Sequence, residues 1–326
     1  MPGSPSAALI SSDLEQHRSA LTGYCYRMLG SPFEAEDAVQ DTLLRAWRSI
    51  DRFEGRSSAK SWLYRIATNV CLDYLDGRKR RARPMDLGPA QEAELAHLHT
   101  LPDDAWIEPM PDTLVSPTPD PADAAVRSES LRLAFVAALQ ELPPRQRAVL
   151  ILCEVLHWKA SEAAELLETS VASINSALQR ARATLAAGRS DTALRVTDLQ
   201  APDQALLARY VDAFERYDIE ALTALIHEDA TQSMPPYDLW LAGRDDILAW
   251  WVGPGNGCRG SRVIPTVSAN GSPAFGQYKP APSAAGYEPW ALQVLEIDGG
   301  RIGEFTFFLN TQTLFPLFGL SLQLEP

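Results

Sequence analysis

"KASEAAELLETSVASINSALQRARATL", residues 159–185, is the stretch whose reading decides the fold. Ala163, Ala164 and Leu167 recur at helical spacing in its first half, and Val171, Ile174 and Leu178 in its second. Glu168-Thr169-Ser170 separates the two, and Ser170 suits the N-cap of the second helix. Short helix, tight turn and second helix form a helix-turn-helix pattern, whose second helix enters the DNA major groove. With its apolar positions turned inward, that helix leaves Ser173, Asn175, Ser176, Gln179, Arg180 and Arg182 outside. Ser, Asn and Gln exchange hydrogen bonds with base edges, and Arg reads guanine or clamps phosphate. Residues 171–187 contain no carboxylate, as a surface laid against phosphates requires. An ordinary amphipathic helix is the competing reading of this segment.

The chain as a whole is acidic, with a formal net charge of −13 over 326 residues. The charge is partitioned. Residues 1–83 carry 13 Lys and Arg against 10 Asp and Glu, residues 84–126 none against 9, residues 127–190 8 against 6, and residues 191–326 8 against 17. A local excess, not the average, is what touches phosphate. The length accommodates two or three domains. No run approaches the ~20 apolar residues of a membrane span. The start, MPGSPSAALISSD, lacks the basic and apolar regions of a signal peptide. Cys25, Cys71, Cys153 and Cys258 form neither a CxxC pair nor a Cys/His cluster, so no metal site is expected and a cytoplasmic location is. The first three are expected in cores and Cys258, in a Gly-rich loop, at the surface.

These partitions coincide with a multidomain organisation: an all-α module over 10–83, an acidic Pro-rich linker over 84–125, a second all-α module over 126–190, a connector over 191–202, and an α+β domain over 203–326. Helices are expected at 13–29, 33–49 and 58–76, then at 126–141, 144–156, 159–167 and 171–187. The linker, with PMDLGPA, LPDDAWIEPMPD and VSPTPDPAD, is expected to be long and extended, anchored only by Trp106 and Ile107. In the last third, helices at 203–217, 219–226 and within GRDDILAWWV precede strand-like runs separated by Asn270-Gly271 and Asp298-Gly299-Gly300, which predicts helices on an antiparallel sheet.

"AEDAVQDTLLRAWRSIDRFEGRSSAKSWLYRIATNVCLDYLDGRKRR" (35–81) resembles region 2 of bacterial RNA polymerase sigma factors, and "LQELPPRQRAVLILCEVLHWKASEAAELLETSVASINSALQRARATL" (139–185) resembles region 4. Their order and the linker are similar to the extracytoplasmic-function group of the sigma-70 family, which lacks a region 3 domain. The resemblance implies core RNA polymerase (the clamp coiled coil and flap of its large subunits) and promoter DNA as partners, with no cofactor. It places Glu36, Asp37, Gln40, Asp41, Leu44 and Trp47 on the clamp-binding helix, where carboxylates around an aromatic anchor suit a basic partner; core is an equal reading of Trp47. It assigns the minus-ten element to the loop Asp51–Ser57, with Arg52, Phe53, Arg56 and Ser57, and to Lys60, Trp62, Arg65, Asn69 and Asp73 on the next helix. Trp62 is as readily a core residue. Arg78, Lys79 and Arg80, in the basic run to Arg83, would grip phosphates. The helix at 171–187 would read the minus-thirty-five element; relatives often carry Lys and Arg where this chain has Asn175 and Ala177, which implies a weaker grip or a different preferred sequence. The acidic linker would run through the polymerase channel in place of nucleic acid.

The last domain, through "ALLARYVDAFERYDIEALTALIHEDA" and "MPPYDLWLAGRDDILAWW", resembles the SnoaL-like, nuclear-transport-factor-type cone fold. Sigma factors with this appendage, the subgroup of actinobacterial sigma factor G among them, imply regulation in cis in place of a separate anti-sigma protein. Tyr237, Trp240, Trp250, Trp251, Tyr278, Trp290 and Phe307 line either a small-molecule pocket or a plain core. His227, Glu228 and Asp229, read as a helix end, point apart and make no convergent acid–base set, so no catalysis is expected. The alternative function is a one-component regulator whose last domain senses a ligand. It leaves the 33–49 helix without a purpose.

Overall fold

A computed structural model of the chain describes residues 14–53, 58–115, 130–187, 204–281 and 286–326. The fold divides into two compact units, one of Met1–Arg81 with Ile107–Arg195 and one of Ala82–Trp106 with Val196–Pro326.

The first unit opens with helices α1 (Arg18–Leu29), α2 (Pro32–Ser49) and α3 (Ala59–Leu75). α1 is the central element, buried from Leu21 to Leu29. It ends where Gly30 takes a left-handed conformation (φ 75°) and returns its N–H to the Tyr26 carbonyl at 2.7 Å, a closure that suits a residue without a Cβ. α2 begins with Pro32 after Ser31, whose hydroxyl accepts the Glu34 N–H at 3.3 Å. Ser58 caps α3 in the same way, accepting the Ser61 N–H at 3.0 Å. Tyr24 joins α1 to α3 by a hydroxyl contact with Thr68 (2.7 Å) and an edge-on ring contact with Tyr64 (5.2 Å). The same unit contains α4 (Leu133–Gln140), α5 (Pro144–Leu150), which runs on as a π-helical turn over Ile151–Val155, α6 (Ala160–Leu166) and α7 (Val171–Ala187). Of the helix expected over 126–141, residues 126–129 lie outside the described residues, and the described helix spans Leu133–Gln140.

The second unit is a six-stranded sheet with α8 (Gln204–Glu215), α9 (Ile219–Leu225), α10 (Arg244–Val252) and α11 (Thr311–Leu317). Its strands are β1 (Ile226–Ser233), β2 (Trp240–Ala242), β3 (Arg262–Pro265), β4 (Ala274–Pro280), β5 (Tyr287–Asp298) and β6 (Arg301–Phe308), in the order β2-β1-β6-β5-β4-β3. The expected antiparallel sheet is mixed: β1 runs parallel to β6, while the pairings β1–β2, β3–β4, β4–β5 and β5–β6 are antiparallel. Asn270-Gly271 and Gly299-Gly300 have φ values of 53°, 77°, 55° and 74°, the all-positive pair that a two-residue hairpin turn needs. β1 was not expected, since "IHEDATQS" has no apolar alternation. Its buried Gln232 is satisfied by a hydrogen bond from Trp251 Nε1 at 2.7 Å. His227, Glu228 and Asp229 therefore lie along a strand and not at a helix end.

Tyr210, Phe214, Leu222, Trp250, Trp251, Phe275, Leu295 and Phe305 belong to the core between helices and sheet. A polar chain crosses it. The Tyr210 hydroxyl donates to Gln293 Oε1 (2.8 Å), Gln293 Nε2 to Gln277 Oε1 (2.9 Å), and Gln277 Nε2 to the Ser261 hydroxyl (3.1 Å), all four residues being buried. Burying such groups is tolerated only when each finds its partner.

The linker differs most from its expected form. Residues 82–106 are not a free extended segment. They form a loop whose ends meet, the Ala82 N–H donating to the Ala105 carbonyl at 2.8 Å, and its body lies on the second unit's sheet. Residues 107–115 belong to the first unit, where the Glu108 N–H bonds the Gly30 carbonyl (3.0 Å), Tyr26 Oη donates to the Glu108 carbonyl (2.8 Å), and Ile107 and Met110 are buried.

Replacing Gln293 by Leu strands the Tyr210 hydroxyl and Gln277 Oε1. The expected loss is about 2–6 kcal/mol, from ~1–3 kcal/mol for each of the two stranded buried groups. Denaturant unfolding followed by Trp fluorescence reads it, and an unchanged midpoint would remove the polar chain from the domain's stability.

Candidate nucleic-acid interface

α6 and α7 form the helix-turn-helix. Lys159 N–H and Glu162 Oε2 (2.8 Å) tie the start of α6, and the Ser173 N–H bonds the Ser170 hydroxyl (3.1 Å) at the start of α7. Between them Glu168 takes a left-handed conformation (φ 51°), and Thr169 N–H closes onto the Ala164 carbonyl at 2.9 Å. Ala163, Ala164, Leu166, Ile174, Ala177, Leu178 and Ala181 are buried. Leu166, not the expected Leu167, is the buried leucine of α6, and Val171, expected inside, is exposed in the first turn of α7. Ala177 points inward, so its position offers no phosphate contact and the expected loss of grip there does not arise.

Ser173, Asn175, Ser176, Gln179, Arg180 and Arg182 are all exposed along α7. Arg182 forms an ion pair with Glu154 of the preceding π-helical turn, while Arg180 has no ion pair among the described residues.

On α2, residues Asp37, Gln40, Leu44 and Trp47 form one exposed stripe at helical spacing, beside the half-buried Asp41. Leu44 is 51% and Trp47 62% exposed, so Trp47 is no core residue. Glu36 is held to one side by Arg18 (3.3 Å), and Asp41 Oδ2 accepts from the Tyr74 hydroxyl (3.5 Å).

The minus-ten candidates fall into two groups. Asn69 and Asp73 are exposed on α3, and Asp73 pairs with Arg45 at 3.1 Å. Trp62 is half-buried against Phe53, ring centres 4.8 Å apart, and so is neither core nor free. Lys60 and Arg65 turn toward the second helical module. Lys60 Nζ stands 5.8 Å from the Trp158 ring centre, and Arg65 reaches the Glu165 carbonyl (3.4 Å) and the Glu168 carboxylate (3.8 Å). Arg56, Ser57 and the side chain of Arg52 lie outside the described residues.

The basic run is engaged within the protein. Arg78 pairs with Glu34 (2.5 Å), Arg80 with Glu141, and Arg83 with Asp86 (3.1 Å). Arg81 is buried against Glu34 (3.0 Å), while Lys79 is exposed.

Two arginines that the sequence did not single out fasten one helical module to the other. Arg27 of α1 donates to the Ser130 carbonyl (3.1 Å) and hydroxyl (2.7 Å). Arg147 of α5, 3% exposed, reaches back to the Met28 carbonyl and also binds Gln140 Oε1 (2.5 Å) and the carbonyls of Gln140 (3.1 Å) and Leu142 (3.2 Å). Burial pushes its guanidinium down to about 10. Gln140 Nε2 completes the clasp with a bond to the Arg27 carbonyl at 3.3 Å. Tyr64 and Trp158 add a ring contact at 5.2 Å.

In the second unit, Phe214, Tyr217, Leu222, Gln232, Met234, Trp250, Trp251, Gly255, Cys258, Trp290 and Phe307 line a cavity. About 30 Å³ of it admits the centre of a water-sized molecule, room for about two waters. Of the expected lining residues Trp250, Trp251, Trp290 and Phe307 are there. Tyr237, Trp240 and Tyr278 are not. Tyr237 and Trp240 lie at the sheet edge, where Trp240 Nε1 donates to the Gly88 carbonyl (2.9 Å). Tyr278 is buried against Phe315 and donates to the Ser321 carbonyl (2.9 Å). Cys25 and Cys71 are buried as expected, whereas Cys153 and Cys258 are both half-buried. No described helix is long and apolar enough to cross a membrane, and no group of three or more His, Cys, Asp or Glu among the described residues could hold a metal.

Comparison with known proteins gives three family matches: Sigma-70 region 2 over residues 14–81, Sigma-70 region 4 over 132–185, and a SnoaL-like domain over 207–305. The ECF RNA polymerase sigma factor SigG of Mycobacterium tuberculosis (strain ATCC 25618 / H37Rv) is 44% identical over 313 residues, 95% of this chain and 83% of that one. The ECF RNA polymerase sigma factor SigW of Bacillus subtilis (strain 168) is 32% identical over 161 residues, 49% of this chain and 78% of that one. The crystal structure of the Mycobacterium tuberculosis extracytoplasmic function sigma factor SigJ shares the fold, with a TM-score of 0.62 at 21% identity over 95% of this chain and 99% of that one.

Replacing Arg147 by Met removes the bonds to Met28, Gln140 and Leu142 while keeping an apolar stem. The expected destabilisation is about 2–3 kcal/mol, the scale of hydrogen bonds to a charged group. Urea unfolding measures it, and an unshifted midpoint would deny the clasp its role.

Proposed function

The chain belongs to the extracytoplasmic-function (ECF) sigma factors of RNA polymerase, and we propose that it binds the core enzyme through the outer face of α2, reads promoter DNA with α3 and α7, and is regulated in cis by its C-terminal domain. The observation that carries the polymerase contact is the α2 stripe. Leu44 and Trp47 stand half or more exposed beside Asp37 and Gln40. An aromatic side chain held in water amid carboxylates is the composition of an interface anchor, not of a solvated face. A one-component regulator has no use for it, and the relative matching nearly the whole chain is named a sigma factor. Such a factor acts in the cytoplasm with the polymerase, as an initiation factor and not an enzyme.

α7 suits the minus-thirty-five element through its carboxylate-free exposed face. Asn69 and Asp73 suit the minus-ten element, but Lys60 and Arg65 are occupied by α6 and Trp158. Reading both elements at once therefore requires the helical modules to part.

A small-molecule ligand for the C-terminal domain is a second reading, favoured by the Trp-lined cavity. At its present volume the cavity has room for about two waters and nothing larger, so a bulkier ligand needs it to widen. Native mass spectrometry of the full chain purified from its host decides this. A co-purifying apolar molecule supports the reading, and a bare chain favours plain core.

Transcription from a cognate promoter with purified core polymerase tests the main reading. Trp47→Ala is expected to weaken core binding at least tenfold while leaving the unfolding midpoint unchanged. The full chain and residues 1–202 are both expected to initiate, with different strength. Failure of both to bind core polymerase overturns the assignment.

A further inference from the structure

We propose that Cys258 is a site of oxidation to sulfenic acid by hydrogen peroxide admitted to the cavity of the C-terminal domain, and that this oxidation is a signal to which the domain responds. The effect on transcription rests on the regulation in cis proposed above; the modification itself does not.

Cys258 ends the Gly-rich turn Pro254–Cys258 and is half-buried at the cavity wall. The turn packs closely on α10: a Cβ on Gly255 would stand 2.8 Å from Trp250 Nε1, so the chain approaches there only without a side chain. Two cations stand about the thiol, each laid over an aromatic ring of the cavity wall. Lys279 Nζ is 3.0 Å from the Trp290 ring centre, and Arg259 Cζ is 5.1 Å from that of Tyr217. Lys279 Nζ also reaches the turn itself, 3.9 Å from where a Cβ on Gly257 would be. It interacts with the Cys258 sulfur through charge and through a hydrogen bond. A neighbouring ammonium stabilises the negative charge through which a thiol reacts.

Gln232 lies on the same wall and is 1% exposed. Trp251 Nε1 can only donate, so its bond to Gln232 Oε1 (2.7 Å) fixes the amide with its nitrogen turned away. That Nε2 has no hydrogen-bond partner among the described residues. A buried donor without an acceptor marks a place for an oxygen atom. The cavity has room for about two waters, and hydrogen peroxide, two bonded oxygen atoms, is a reactive molecule of that size.

In the reaction the sulfur attacks one peroxide oxygen, an S–O bond forms and the O–O bond breaks. Sulfur loses two electrons and the peroxide gains them. The thiol proton ends on the departing hydroxide, which leaves as water, so thiol and peroxide give sulfenic acid and water. Burial lowers the proton affinity of Lys279 against the pull of Cys258 and Glu288, which fits it to pass that proton on. The other thiols lack this setting. Cys25 and Cys71 are fully buried in the first unit, and burial together with the Glu154 carboxylate raises the pKa of Cys153. The added oxygen takes room beside Trp250 and Trp251, which belong to the helix–sheet core, so oxidation reaches the packing of the domain.

Time-resolved dimedone trapping on the reduced full chain, with peptide mass spectrometry, reads the modification. With hydrogen peroxide, Cys258 is expected to take the sulfenic-acid label at least tenfold faster than Cys153, with Cys25 and Cys71 unlabelled, and urea is expected to abolish the preference. Lys279→Met is expected to slow labelling of Cys258 at least fivefold, and Lys279→Arg to restore it in part. Equal labelling of Cys258 and Cys153 in the folded chain overturns the proposal, as does undiminished labelling in Lys279→Met. On the same samples, promoter transcription by the oxidised chain with core polymerase is expected to differ at least threefold from that by the reduced chain, and Cys258→Ser to be indifferent to peroxide. Equal transcription by labelled and unlabelled chain overturns the signalling role. Absence of core binding by the reduced chain overturns the sigma-factor reading and leaves the labelling result standing.

Discussion

The guanidinium of Arg147 lies in the first unit with backbone carbonyls and one amide oxygen for company, and the joint between the two helical modules depends on it. Carbonyl oxygens carry only partial charge, so burying a full positive charge among them is a demanding arrangement. Desolvation shows in its lowered proton affinity. Arg27 makes the reciprocal contact to Ser130. A joint of this kind is specific in geometry yet limited in strength, since every carbonyl it uses can return to water once the modules part. Hydrophobic fusion of the two modules would be harder to reverse.

That joint explains the exposure pattern of the candidate nucleic-acid surface. With the modules together, α7 keeps its polar face in solvent while Lys60 and Arg65 of α3 turn to Trp158, Glu165 and Glu168. Nearly every arginine of the 78–83 run has a carboxylate partner inside the protein. A phosphate approaching this run would have to replace existing acidic partners instead of meeting free cations, which would moderate sequence-independent attraction.

Much of this was legible in the sequence, for physical reasons specific to each element. The helices of the first unit follow apolar periodicity, and Leu21, Tyr24, Cys25 and Met28 are all buried as the 3.6-residue repeat requires. The hairpin turns follow from Asn-Gly and Gly-Gly, which alone adopt paired positive φ without strain. The exposed set on α7 was legible because Ile174 and Leu178 fix its inner face. Ala177 was misplaced because alanine suits either face of a helix. β1 was not legible, since Gln232 owes its burial to Trp251, nineteen residues away. Arg27 and Arg147 resembled surface charges, because the contacts that join the modules, to Ser130 and to the Met28 carbonyl, lie more than a hundred residues distant. The loop over 82–106 was obscured for a similar reason: its Pro and Asp content describes a chain with no core of its own, and it uses another domain's edge.

The position of that edge in the chain bears on the order of events during synthesis. Trp106 leaves the ribosome long before Phe308, which ends β6, and β6 is the strand on which β1 and then β2 assemble. At about 5–20 residues per second, the 202 residues between them take roughly 10–40 s to make. Through that interval the newborn chain has its first helical module and the acidic segment, and gains the second module on the way, but has no sheet to receive the segment. Each molecule thus makes residues 82–106 first and the sheet edge that holds them last.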